Sequence, residues 1–150
     1  SKAKPSARNK MMDLLARRDH SELEIRKKLK GKFQPEEIEK AIEYGKTNNW
    51  LPNSESAEIV LSQKAAEHLH RKKKGILYIN SKLYEKGLPE VQSDPEQELE
   101  KALELIKNKY SVKDDLDREE KEKLKAKLGR FLVSRGFEMS IVRKVIYEKF

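Results

Sequence analysis

The chain has 150 residues, with 34 Lys and Arg against 26 Asp and Glu, a net charge of +8, 36% hydrophobic residues and no cysteine. Those proportions suit thin helical layers with one wet face and exclude a buried parallel sheet, whose strands need near-continuous apolar runs. Disulfides, thiolate metal sites and a cysteine nucleophile are excluded outright.

Helical periodicity runs through almost the whole sequence. Met11, Leu14 and Leu15 share one face of a first helix. Ser21-Glu22-Leu23-Glu24 is a capping box that starts a second helix, whose apolar positions Ile25 and Leu29 are four apart. Phe33-Gln34-Pro35 starts a third, with proline at the first helical position and a hydrophobic staple between Phe33 and Ile38. Ile38, Ala41 and Ile42 form its stripe. Trp50-Leu51-Pro52-Asn53 follows, and the lone tryptophan is expected to plug the packing between two repeats.

Ala57, Val60, Leu61, Ala65 and Leu69 predict a long fourth helix, and Ile76, Ile79 and Leu83 a fifth. Asp94-Pro95-Glu96-Gln97 and Asp117-Arg118-Glu119-Glu120 are two more helix starts. Behind them run the stripes Leu99, Ala102, Leu103, Ile106, Tyr110 and Leu124, Leu128, Phe131, Leu132. Val142, Val145 and Ile146 close the chain. No alternating segment of strand length competes, so the fold expected is all-α.

Leu83-Tyr84-Glu85-Lys86-Gly87-Leu88 parallels Leu132-Val133-Ser134-Arg135-Gly136-Phe137, and Leu29-Lys30-Gly31-Lys32-Phe33 is one residue shorter. In each, glycine can turn left-handed after the helix and the next hydrophobic residue can fold back on the leucine. The same spelling is also simply a good helix stop. A spacing near 50 residues nevertheless suggests three tandem three-helix repeats in an elongated, curved array. The expected divisions are a flexible arm over 1–6, repeat one over 7–51, repeat two over 52–94 and repeat three over 95–150. The third helix of repeat two is expected to be short or missing, because Pro89 and Pro95 bracket that stretch.

Little in the sequence suggests catalysis. Gly45-Lys46-Thr47 lacks the glycine five residues earlier that a phosphate-wrapping loop needs; that position is Lys40. His68 and His70, two apart, diverge on a helix and do not chelate. The carboxylates fall on faces expected to be solvated. No enzyme activity, metal or cofactor is expected.

Charge is the stronger signal. Residues 1–34 carry a net +7, residues 93–122 a net −5 and residues 123–150 a net +6. Repeat one offers Arg17, Arg18, Arg26, Lys27, Lys28, Lys30 and Lys32. Repeat two offers Arg71, Lys72, Lys73 and Lys74, then Tyr78 and Lys82; Lys74, Tyr78 and Lys82 recur every four residues, opposite the apolar stripe. An outward tyrosine between two lysines can stack on a base or ring while the lysines hold charge. Repeat three offers Lys123, Lys127 and Arg130 along one edge. Any one cluster also reads as an ordinary wet helix face; their recurrence points to a polyanion or an acidic protein as partner.

The stretch Arg18-Asp19-His20-Ser21-Glu22-Leu23-Glu24-Ile25-Arg26-Lys27-Lys28-Leu29 resembles the first-repeat signature of the RecX family of RecA modulators. Gly75 to Leu88 is similar to its second-repeat helix, and Leu128 to Phe137 to its third repeat. In the linker the family carries an acidic pair and an aromatic, where this chain has Asn53-Ser54 and Ser56. The resemblance implies a cytoplasmic regulator that lies in the groove of the RecA–DNA filament. It would inhibit ATP hydrolysis, strand exchange and stimulated repressor cleavage, and so modulate DNA repair and the SOS response. It would also bind single- and double-stranded DNA. A monomer is expected, with neither a membrane nor a small-molecule substrate as partner. Charge alone leaves a stand-alone helical DNA-binding protein, or a helical adaptor for an acidic protein, as the other readings.

Overall fold

The structure, a computed structural model, describes residues 5–111 and 115–150. Residues 1–4 of the expected N-terminal arm lie outside the described residues. The described residues form eight helices and no strand: α1 (Ala7–Arg17), α2 (Glu22–Leu29), α3 (Pro35–Thr47), α4 (Glu55–Arg71), α5 (Ile76–Glu85), α6 (Pro95–Lys109), α7 (Arg118–Ser134) and α8 (Met139–Lys149). The chain divides into two compact units, residues 1–64 with 83–90, and residues 65–82 with 91–150.

In the first unit α1 and α2 both pack on α3. Ser6 caps α1 by accepting from the Asn9 amide at 3.1 Å. Both bonds of the Ser21–Glu24 capping box are made. The Ser21 hydroxyl also donates to the Lys86 carbonyl at 2.5 Å. Pro35 occupies the first turn of α3, with Phe33 half-buried and Ile38 buried as the staple requires. The core is Ala7, Met11, Leu14, Ile25, Leu29, Ile38, Ala41, Ile42 and Leu51.

Leu51 fills the place expected for Trp50, which is 42% exposed. Past the end of α3 the Trp50 and Leu51 amides both donate to the Gly45 carbonyl, at 2.8 and 3.1 Å. Asn49 is left-handed at φ 59° and swings the chain around. Only one of the two side chains then points inward. A Cβ on Gly45 would stand 2.9 Å from Leu51 Cδ1, so this glycine leaves room for leucine and not for an indole. Trp50 lies edge-on to Tyr44 instead, ring centroids 5.4 Å apart.

The fourth stripe is also shifted. Val60 is 53% exposed, while α4 buries Ser62 and Ala66. A serine is tolerated inside because its hydroxyl donates to the Pro89 carbonyl at 2.8 Å.

In the second unit α6 and α7 pack on α8. The core joins Ala102, Ile106, Leu128, Leu132, Phe137, Ile141, Val142 and Val145, with Leu99, Leu103, Tyr110, Leu124, Phe131 and Ile146 at its margin. Asp94 and Asp117 cap α6 and α7. The glycine turns form as read. Gly87 and Gly136 have φ 69° and 90°. The amides of Leu88 and Phe137 reach back to the carbonyls of Leu83 and Leu132, at 2.9 and 3.1 Å. Gly31 is left-handed too, but Phe33 stays half-exposed. Residues 86–94 form no helix; the Asn80 side chain holds the Val91 amide and carbonyl, at 2.9 and 3.1 Å.

Candidate cationic interface

The basic residues singled out in the first segment are not equivalent. Arg26 is engaged within the fold: it pairs with Glu22 on its own helix and with Glu39 on α3. The Glu39 carboxylate pushes the Arg26 pKa up against the opposing effect of burial. Arg18 donates to Glu24 at 2.7 Å and to the Asp19 carbonyl. Lys27 donates to the Glu85 carbonyl at 3.1 Å. Arg17, Lys28, Lys30 and Lys32 are exposed and make no ion pair among the described residues. The open cations of this segment therefore sit at the end of α1, on α2 and on the Gly31 turn.

The second segment builds a more defined feature. Lys72, Lys73 and Lys74 form the turn between α4 and α5, with Lys73 left-handed at φ 58°. The turn is tied down by its backbone. Arg135 donates to the Lys72 carbonyl at 2.7 Å, and Lys101 to the Lys74 carbonyl at 2.6 Å. The Gly75 and Leu77 amides donate to the Arg135 and Gly136 carbonyls, both at 2.9 Å. The Ile76 amide donates to Glu98, also at 2.9 Å. The first amides of α5 are thus used inside the protein, and an anion here must be met by side chains. The Lys74 and Lys82 ammonium groups stand 4.6 and 5.4 Å from the Tyr78 ring centroid, as their spacing requires. Lys72 is exposed without an ion pair among the described residues, Lys73 pairs with Glu104 at 2.9 Å, and Arg71 lies 4.0 Å from Glu67.

Glu98 corrects the expectation that the carboxylates are solvated. It is fully buried and ion-paired with Lys101, itself 7% exposed. Burial holds the Lys101 pKa below the usual lysine value, and Glu98 opposes that shift. His70 Nδ1 lies 2.8 Å from Lys101 Nζ. Burial, then the lysine charge, holds the His70 pKa below 6.5.

In the third segment Arg130 is exposed without an ion pair among the described residues, and Lys123 pairs with Glu119 at 3.4 Å. Lys127 stands 5.9 Å from the Tyr110 ring. Lys109 lies 3.9 Å over Phe131, and the Tyr110 and Phe131 rings meet edge to face at 5.8 Å. This cation–aromatic cluster was not legible in the sequence, because Tyr110 and Phe131 read as core stripe and only the pairing of α6 with α7 brings them together. Arg143 and Lys144, exposed on α8, were also missed. Among the described residues no group of His, Asp or Glu is disposed to hold a metal, and no helix is long and apolar enough to cross a membrane.

The architecture defines an all-helical protein of small three-helix sets that presents cations and rings on its surface. Two family models match the chain: RecX, first three-helix domain, over residues 7–44, and RecX, third three-helix domain, over residues 96–146. The regulatory protein RecX of Pseudomonas savastanoi pv. phaseolicola is 30% identical over 150 residues, covering 94% of this chain and 90% of that protein. That of Clostridioides difficile is 29% identical over 148 residues, and the chain spans 66% of its length. The crystal structure of RecX from Lactobacillus salivarius shares the fold at a TM-score of 0.72 and 18% identity, covering 95% of this chain and 94% of that one. The chain belongs to the RecX family of regulatory proteins.

Proposed function

We propose that this protein binds the RecA–DNA filament, lies in its helical groove and inhibits RecA's ATP hydrolysis, strand exchange and coprotease activity. DNA repair and the SOS response would be regulated through that contact in the cytoplasm. Three tandem repeats, 7–51, 52–94 and 95–150, would each present a cationic set to the filament. The observation that carries this reading is the turn before α5. It holds an open Lys72 beside a tyrosine flanked by two lysines, on a backbone fixed from below. Fixed cations suit acidic protein surfaces and phosphates, and a ring between them suits a base or another ring.

The test is ATP turnover by RecA on single-stranded DNA, which falls as this protein is added. Unchanged turnover at stoichiometric excess sinks the proposal. Replacing Lys72, Lys73 and Lys74 together by glutamate weakens inhibition while the fold survives, since exposed charge changes cost under about 0.5 kcal/mol each. Full inhibition by that variant removes the turn from the interface. The net charge of +8 supports a second reading, a stand-alone DNA-binding protein. Tight, steeply salt-dependent binding to bare DNA with no effect on RecA would favour it.

A further inference from the structure

Trp50 separates two hollows in the first unit. Met12, Leu15 and Ala16 line a shallow apolar recess on one side. A cleft of about 200 Å³ opens on the other, lined by Asp19, His20, Pro52, Val60, Leu61 and Lys64 among others. The tryptophan is held although exposed. Asn53 Nδ2 donates to the Lys46 carbonyl at 3.1 Å and to Asn49 Oδ1 at 2.9 Å, which fixes the turn that carries it. Tyr44 supports the indole, and the Arg8 guanidinium lies 3.6 Å over that tyrosine.

His20 supplies the second, independent observation. It lines the cleft and is 2% exposed. Its Nδ1 lies 2.9 Å from the Arg18 carbonyl. A carbonyl only accepts, so Nδ1 carries the proton and Nε2 is left with a lone pair. That Nε2 is buried and has no partner. Burial, helped by the Arg18 charge, holds the imidazole pKa below 6.5 and keeps the ring neutral at pH 7. Buried acceptors of this kind normally have a donor.

We propose that the cleft is an anchor site for a tyrosine or tryptophan side chain of a protein partner, its ring packed on Trp50 and Val60 and its O–H or N–H donated to His20 Nε2. These two side chains combine a flat apolar body with a donor at the tip, and they fill the desolvated pockets that dominate protein interfaces. Phenylalanine fits the walls but leaves the imidazole unmet. A nucleic acid is disfavoured, because the charged residues of the lining, Asp19 and Lys64, pair with each other at 3.4 Å and leave no cation there for a phosphate. That exposed pair is weak and yields to an incoming side chain at little cost. The site uses none of the cationic residues assigned above, so it stands or falls independently of the RecA reading.

The chain has a single tryptophan, so one indole N–H resonance reports the site. The ¹⁵N-labelled full chain is titrated with the blocked pentapeptides Ala-Ala-Tyr-Ala-Ala and Ala-Ala-Phe-Ala-Ala, and with an O-methyltyrosine version that keeps the ring and removes the donor. The tyrosine peptide is expected to shift the indole signal to saturation, with a Kd at least threefold below those of the other two. Val60→Arg, at an exposed position, abolishes the saturable shift with an unchanged melting temperature. His20→Leu, where it folds, makes the three peptides equal. Equal affinities in the native protein, no saturable shift, or a stronger indole shift with decathymidylate would each overturn the proposal.

Discussion

Gly136 is left-handed at φ 90°, and a Cβ there would overlap the Tyr78 backbone and side chain. Gly129, inside α7, is the opposite case: an added methyl would stand 3.8 Å from Val142 and 3.9 Å from Ile146, ordinary contact distances. Gly136→Ala therefore costs about 1–3 kcal/mol from the backbone alone, and more from the overlap. Gly129→Ala gains roughly 0.5–1 kcal/mol through helix propensity. Thermal melts should place the Gly129 variant above the native protein and the Gly136 variant below it; the reverse order would refute the packing described. The left-handed turn at Gly136 was legible in the sequence, since its neighbours spell a helix stop. The crowding at Gly75 was not, because a Cβ there would meet the Gly136 backbone, which lies 61 positions along the chain.

Among the elements, the start of α5 depends on a buried carboxylate. Glu98 accepts from the Ile76 amide and pairs with Lys101, whose ammonium donates to the Lys74 carbonyl. Replacing Lys101 by methionine leaves Glu98 buried without its counter-charge, which costs about 3–5 kcal/mol. Adding Glu98→Gln removes the stranded charge and keeps an acceptor for the Ile76 amide. Urea unfolding should show the double variant clearly more stable than Lys101→Met alone; equal instability would mean the ion pair is not what fixes this turn. Helix starts and apolar stripes were readable here because capping and periodicity are local. Glu98 was not, because it lies in a stretch dense with carboxylates and only the position of α5 shows which one turns inward. Ser62 escaped for the same reason: its partner carbonyl, Pro89, is 27 positions away.

Over the whole molecule, stability and binding respond to pH and salt through different residues. His20 and His70 both have folded-state pKa values below 6.5, through burial first. The unfolded chain therefore binds more protons, and the stability these rings contribute is present above pH 6.5 and lost as pH falls through their folded values. Around them stand Arg18, Glu24 and Lys28 for His20, and Lys101, Glu98, Asp94 and Glu67 for His70. The melting temperature should drop between pH 7.5 and 5.5, and His20→Gln with His70→Gln should flatten that slope. An unchanged slope would assign it elsewhere. Glu22 and Glu24, held below 4.5 by cation and backbone hydrogen bonds against burial, add a second decline at lower pH.

Salt separates open cations from engaged ones at the same scale. Lys72→Gln should lower the affinity for single-stranded DNA and reduce the slope of log K against log salt by about 0.7. Arg26→Gln should lower the melting temperature and leave that slope alone; the opposite pattern would exchange their roles. The sequence showed which residues carry charge at recurring places. It could not show which are neutralised, because Glu39 and Glu104 reach Arg26 and Lys73 only across helix pairs.

The non-helical stretch between α5 and α6 is fastened residue by residue. Ser21 takes the Lys86 carbonyl, Ser62 that of Pro89, Asn80 both groups of Val91, and Asp94 turns into its own helix. Connecting peptide is ordinarily where proteases nick and where inserted tags are tolerated. This one should resist trypsin at Lys86 and reject an epitope spliced after Pro89, so a fusion designed around its lack of helix would fail.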